Sequence, residues 1–201
     1  MKTIILCGGL GSRLSEETKI TPKPMVRIGN KPILNHIIDI YKHYGFNKFI
    51  LALGYKSKFI KNYYYSNKID SKLELVYTGK NTLTGGRLLR LKKYFNKSET
   101  FMLTYGDGLA DINLIQLLSF HQKHGGLATM TSVQLASRFG ILEIGKNDKV
   151  IQFKEKPKGD GNWINAGFFV CEPKVFDYID SSENVMFEQE PLQNFSYFNR
   201  S

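Results

Sequence analysis

Gly8, Gly9 and Gly11 are followed by Arg13 and by Lys23, which sits between Pro22 and Pro24, and much later Asp107 lies between Gly106 and Gly108. Each residue type suits the handling of phosphate. Glycines present bare backbone N–H groups to anionic oxygens. An arginine and a lysine beside them add fixed positive charge. A carboxylate held between glycines can keep Mg²⁺ against phosphates, because Mg²⁺ takes one or two protein carboxylates and completes its shell with phosphate and water. The expectation is a nucleoside triphosphate lying over the glycine loop. A plain turn after a strand would account for the glycines, but it has no need of Arg13 and Lys23. Two other loop chemistries fail by inspection. A dinucleotide fingerprint needs a third glycine where Leu14 stands, and a P-loop needs Gly-Lys-Ser/Thr, which occurs nowhere.

These residues need a scaffold that brings them to one edge. The apolar run at 3–7 reads as a buried parallel strand ending at the glycine loop. Pro32 reads as a first helical position, with Ile33, Ile37, Ile40, Tyr41 and Tyr44 on one helical face and Gly45 as the stop. Residues 46–53 and 73–78 read as strands, with a helix at 56–65 between them. Strand and helix in alternation imply a mostly parallel sheet flanked by helices, with ligands beyond the carboxyl ends of the strands. That rule puts the glycine loop and Asp107 on the same edge, since residues 100–104 read as another buried strand. A hairpin reading of Asp107-Gly108 fits poorly, because residues 113–124 read as a helix, for which Asp111 is the expected cap. Thr82, Gly85, Gly86 and Arg87 open another helix. On pattern alone, ligand approach and a plain helical start weigh equally there. Beyond residue 126 the rhythm changes to short strands at 127–135, 140–144 and 150–153, a turn at Asn147-Asp148, and helices at 173–179 and 187–195.

Composition bounds the partners. The chain has 201 residues, 42% of them hydrophobic, which suits one domain with a substantial core. No apolar run has the length of a membrane span, and the short stretch before the glycine loop does not fit a signal peptide, so a cytoplasmic enzyme is expected. Cys7 and Cys171 lie in apolar runs and read as core residues, not as a disulfide or metal site. The net charge of +10 suits small polyanions. Nucleic acid is disfavoured, because the lysines are spread along the chain instead of gathered on one stripe. His121 and His124 read as cations at a helix C-terminus before Gly125-Gly126, and no histidine reads as a metal ligand.

Taken together, the motifs resemble those of the sugar-1-phosphate nucleotidylyltransferases, and closest the branch that transfers a cytidylyl group to glucose 1-phosphate. GGLGSRL and TPKPM match its signature, and LSEETKITPKPMVRIGNKPIL, TGGRL (84–88), TYGDG (104–108), FKEKPKGDG (153–161), INAGFFV (164–170) and EQEPL (188–192) follow in the family's order. The resemblance implies a Rossmann-like mixed α/β sheet of the nucleotide-diphospho-sugar transferase type. It also implies a nucleotide-binding lobe over about 1–125 and a sugar-binding lobe over about 126–201 within one domain. Transfer of CMP from CTP to glucose 1-phosphate would give CDP-glucose and pyrophosphate, a step toward deoxysugars and surface polysaccharide. The alternatives are another base or sugar, or a nucleotide-binding chain with little turnover. The nucleotide set implied is Leu6, Gly8, Gly9, Leu10, Gly11, Ser12, Arg13, Lys23, Thr82, Gly86, Arg87 and Gly106. Arg13, Lys23 and Asp107 carry the chemistry, with Asp107 on Mg²⁺, and Glu155, Lys156 and Asn165 hold the sugar phosphate. Family members continue past EQEPL with a second Mg²⁺-binding aspartate, whereas this chain stops at Ser201. The apolar surface which that segment would cover suggests a homo-oligomer.

Overall fold

The computed structural model describes residues 1–9, 20–67, 72–134, 140–154, 163–182 and 184–198. Arg13, with Leu10, Gly11 and Ser12, and the pair Glu155 and Lys156 lie outside the described residues. The elements, in chain order, begin with β1 (Lys2–Cys7), the two-residue strands β2 (Arg27–Ile28) and β3 (Lys31–Pro32), α1 (Ile33–His43), β4 (Lys48–Leu53), α2 (Ser57–Ser66), β5 (Lys72–Tyr77) and α3 (Thr84–Leu91). They continue with β6 (Phe101–Tyr105), α4 (Leu114–His124), β7 (Ala128–Val133), β8 (Ile141–Ile144), β9 (Val150–Lys154), β10 (Ile164–Cys171) and α5 (Glu190–Phe198).

Six strands form one sheet in the order β5-β4-β1-β6-β10-β7. β1 pairs in parallel with both β4 and β6, and β4 in parallel with β5. β10 runs antiparallel to β6 and to β7. The sheet is therefore mixed and mostly parallel, as expected, and it spans both halves of the chain. Because β10 is reversed, its first residues lie at the edge where β1, β4 and β6 end. Asn165 is thereby carried to the same side as Asp107, a placement that strand content alone does not show.

Alternation along each strand feeds two cores. Ile5 and Cys7 point to one face, under α1, α2 and α4, and Ile4 and Leu6 point to the other, against α3 and the aromatic group Phe101, Phe169, Phe176 and Phe187. In α1 the fully buried stripe is Leu34, Ile37, Ile38 and Tyr41, with Ile33, Ile40 and Tyr44 on its flank. That spacing of i, i+3, i+4 and i+7 is the apolar face of a helix packed on a sheet. Pro32 is the residue before α1 and ends β3, so it precedes the first helical position instead of filling it.

One further expectation is corrected. α4 is capped by Asn113, whose side chain accepts from the Gln116 amide at 3.0 Å, and not by Asp111. Two residues closer to the helix, Asn113 is the one whose oxygen reaches an orphan first-turn N–H. His121 stands in the last turn of α4, ahead of Gly125 in the left-handed conformation, as expected. It is buried, with Nδ1 2.8 Å from Thr129 Oγ1 and Nε2 3.1 Å from Glu172 Oε1. No helix among the described residues is long and apolar enough to cross a membrane.

Candidate functional site

The site begins at the carboxyl ends of β1 and β6. These neighbouring parallel strands pair Leu6 with Tyr105, so Gly8 and Asp107 emerge side by side. Gly106 closes the gap: its N–H donates to the Leu6 carbonyl at 2.9 Å. A Cβ at Gly106 would lie 2.9 Å from Cys7 Sγ, 3.0 Å from the Leu6 carbonyl oxygen and 3.1 Å from Pro24 Cγ. Only glycine fits there, and its fit seats the Pro24 segment on the strand ends. That segment is a single 3₁₀ turn, Lys23–Met25, closed by the Met25 N–H donating to the Pro22 carbonyl at 2.7 Å and anchored by buried Pro24 and Met25. Lys23, the first residue of the turn, then pairs its Nζ with Asp107 Oδ2, and both side chains are about one-third exposed, at 31% and 32%. A lysine and an aspartate 84 positions apart thus share one open spot at the edge of the sheet.

The start of the glycine loop is held at the Gly8 carbonyl by Arg87. This side chain is 3% exposed. Its Nη1 donates to the Gly79 carbonyl at 2.7 Å, to Thr78 Oγ1 at 2.9 Å and to the Leu53 carbonyl at 3.2 Å, and its Nη2 donates to the Gly8 carbonyl at 2.8 Å and the Lys80 carbonyl at 3.4 Å. One guanidinium therefore ties together the chain ends that follow β1, β4 and β5. Burial pushes it down from the ordinary arginine range, but arginine stays protonated throughout. A Cβ at Gly8 or Gly54 would stand 2.2 Å or 2.4 Å from the guanidinium, so these two glycines make room for Arg87. A trans peptide sets C=O and the following N–H on opposite sides. With the Gly8 carbonyl held down by Arg87, the Gly9 N–H faces the open side, where Gly9 is exposed.

Thr82 and Gly86 are buried beside Arg87. Thr82 lies over Gly79, whose φ of +98° and absent Cβ admit the threonine hydroxyl. The space left by Gly85 is filled by residues 185–187: a Cβ there would stand 2.8 Å from Val185 Cγ1. The Gly85 and Gly86 amides both donate to the Val185 carbonyl, at 3.0 and 3.4 Å. Gly85 serves close packing here, one of the two readings that the pattern alone left level.

On the other side of Asp107, Tyr105, Asn165, Thr84 and Glu188 form a linked group. The Tyr105 hydroxyl donates to Glu188 Oε1 at 2.5 Å, and the Thr84 hydroxyl donates to Glu188 Oε2 at 2.6 Å. Asn165 Nδ2 lies 3.3 Å from the Tyr105 oxygen, while Asn165 Oδ1 accepts from the Gly167 N–H at 2.7 Å. Gly167 has φ of +85°, and a Cβ there would meet the Tyr105 ring at 2.7 Å. Burial first, then the Glu188 carboxylate, push the Tyr105 phenol far above its usual range. Tyr105 and Thr84 were not singled out by sequence reasoning, because a hydroxyl inside an apolar or glycine-rich stretch carries no periodic signal. Cys7 lies under the same edge. Burial, with the Asp107 charge second, pushes its thiol well above the ordinary range, so it is a neutral core group and not a nucleophile.

A family model, Nucleotidyl transferase, matches residues 2–194 of the chain. A Bacillus subtilis protein described as a probable glucose-1-phosphate cytidylyltransferase is 48% identical over 215 aligned positions, covering 96% of this chain and 84% of the relative. The glucose-1-phosphate cytidylyltransferase of Salmonella typhimurium is 44% identical over 96% of this chain and 82% of its own. Among solved structures, HddC from Yersinia pseudotuberculosis superposes with a TM-score of 0.71 at 27% identity, covering 94% of this chain and 84% of that one. A UDP-glucose pyrophosphorylase complexed with UDP-glucose superposes with a TM-score of 0.69 at 17% identity over 98% of this chain and 87% of its own, a likeness of fold.

Proposed function

The chain belongs to the nucleotidyl transferase family, and from that premise we propose that it is a glucose-1-phosphate cytidylyltransferase that moves CMP from CTP to glucose 1-phosphate. Its sheet is of the nucleotide-diphospho-sugar transferase type. The observation that carries the reading is the Lys23–Asp107 pair, set at the strand edge beside Gly8, whose carbonyl Arg87 holds. The choice of base and sugar is supported by the two relatives at 48% and 44% identity.

In the reaction an oxygen of the sugar phosphate forms a bond to the α-phosphorus of CTP, and the bond from that phosphorus to the bridging β-phosphate oxygen breaks. Pyrophosphate leaves with the electron pair. The attacking oxygen is already anionic at neutral pH, so no strong base is required. The work is to bring anions together and to support developing charge on the leaving group. Lys23 holds the attacking and target phosphates together, Arg13 takes the triphosphate and the departing pyrophosphate, and Lys156 holds the sugar phosphate, with Glu155 and Asn165 on the sugar hydroxyls. Asp107 fits a hard cation: its carboxylate is partly exposed and already carries a positive partner in Lys23. Among the described residues no three His, Cys, Asp or Glu side chains gather as a metal cluster, so Asp107 and phosphate oxygens would hold Mg²⁺ between them. The ion, when bound, neutralises phosphate charge.

Pyrophosphate release, measured with each nucleoside triphosphate in turn plus glucose 1-phosphate and Mg²⁺, tests this. CTP is expected to be the preferred donor. A faster rate with another nucleotide would move the chain to a different branch, and CTP binding without pyrophosphate release would remove the catalytic reading.

A further inference from the structure

Glu188 plays no part in the chemistry above, yet it is the most constrained acidic group at the site. We propose that Glu188 is a positioning residue, which acts through the Tyr105 hydroxyl to fix the direction in which the Asn165 amide faces the sugar. This rests on the reading of Asn165 as a sugar contact.

The argument is an accounting of protons. The Thr84 oxygen accepts from the Phe187 N–H at 2.9 Å and lies 2.6 Å from Glu188 Oε2, so its own proton goes to the carboxylate. Tyr105 lies 2.5 Å from Glu188 Oε1, and its proton goes there too, since an ionised carboxylate only accepts. Both oxygens of Glu188 are thereby committed as acceptors. The Tyr105 oxygen has lone pairs left over, and it meets the donor end of the Asn165 amide at 3.3 Å. The Gly167 N–H separately requires the carbonyl end of that amide, at 2.7 Å. Two constraints from different elements agree on one orientation. Asn165 is exposed, so its remaining N–H and lone pair are available in a fixed arrangement, suited to a vicinal pair of hydroxyls. The carboxylate also joins the two sides of the site, since Thr84 begins α3 on the nucleotide side and Asn165 lies on β10.

A glutamine at position 188 cannot meet both demands, because it has one acceptor oxygen and one NH₂ group. The Thr84 proton has no other use, so the glutamine oxygen would turn to Thr84 and its NH₂ to Tyr105. The Tyr105 proton would then point at Asn165 Nδ2, donor against donor. E188Q is expected to raise KM for glucose 1-phosphate by about tenfold, the upper end of the worth of a neutral hydrogen bond such as that between the Asn165 amide and a sugar hydroxyl, with KM for CTP within about twofold. Y105F, which keeps the ring, is expected to give a similar change, and the double variant to be no worse than either alone, because the two residues act in series. A readout independent of turnover is the side-chain NH₂ resonance pair of Asn165, assigned with N165D. It should shift in both E188Q and Y105F. Equal effects of E188Q on both substrates, additive effects of the two substitutions, or an unmoved Asn165 pair would each overturn the proposal. A wild-type enzyme inactive with glucose 1-phosphate would remove the sugar reading, while the Asn165 resonances would still decide whether Glu188 sets the amide.

Discussion

At the scale of single residues, exposure divides the side chains that build the candidate site from those that a ligand could reach. Lys23 and Asp107 are each about one-third exposed. An ion pair in that setting contributes about 0–1 kcal/mol to folding. A lysine that supports charge forming at the α-phosphorus is worth far more to the transition state. Lys23→Ala is therefore expected to lower kcat and kcat/KM together, by about a hundredfold or more, and to leave the urea midpoint nearly in place. Unchanged turnover would remove Lys23 from the mechanism. The cysteines stand on the other side of the line. Cys7 and Cys171 are buried, and burial is the main cause that pushes both thiols up. A thiol-specific colorimetric reagent is expected to find neither in the native protein and both after denaturation. Rapid native reaction at Cys7 would mean that the strand edge opens far more than its packing suggests.

At the scale of elements, Arg87 acts as the tie between loops. Its partners come from the ends of three strands, 7 to 79 positions away in sequence. Arg87→Lys keeps the charge but replaces a planar fork with a single ammonium that cannot reach the Gly8 and Gly79 carbonyls together. Buried acceptors would be left unpaired, and the expected loss is about 2–4 kcal/mol in urea unfolding. Retention of full stability would show that the loops hold their places without it. The same residue shows where sequence reading stops. The strand at 3–7 and the helix after Pro32 were legible because burial on one side writes a period into neighbouring residues, and the structure places them within a residue or two. The edge that carries the glycine loop and Asp107 was legible too, and the structure sets Gly8, Lys23 and Asp107 together there. The resemblance sets Arg87 beside the nucleotide, but nothing local in the sequence shows that its guanidinium meets carbonyls from three distant loops. Glu188 enters the sequence reading only as the first residue of EQEPL, since its partners on α3 and β6 are joined to it only by tertiary packing. Likewise the reversal of β10, which brings Asn165 to the reactive edge, is a fact of pairing and not of periodicity.

At the scale of the whole molecule, a net charge of +10 raises the local concentration of anions around the chain. That general attraction fades with salt, because charges beyond about 8 Å are screened at physiological ionic strength. It therefore sets encounter with a nucleotide more than discrimination, which must come from short-range contacts. The two contributions separate in ligand-dependent stability. A ligand that binds only the folded state stabilises it by RT ln(1 + [L]/Kd), about 2.7 kcal/mol at a hundredfold excess over Kd. CTP with EDTA reports binding by backbone amides and cations, and the further gain on adding Mg²⁺ reports the metal. In the wild type the melting temperature is expected to rise with CTP and to rise again with Mg²⁺. In Asp107→Asn the amide still accepts a hydrogen bond from Lys23 but no longer carries the negative charge that Mg²⁺ needs. The first rise should persist, or grow as Lys23 is released toward the phosphates, and the second should be lost. If the variant kept its full response to Mg²⁺, the ion would be held by the triphosphate without Asp107, and the pairing with Lys23 would be the whole role of that carboxylate.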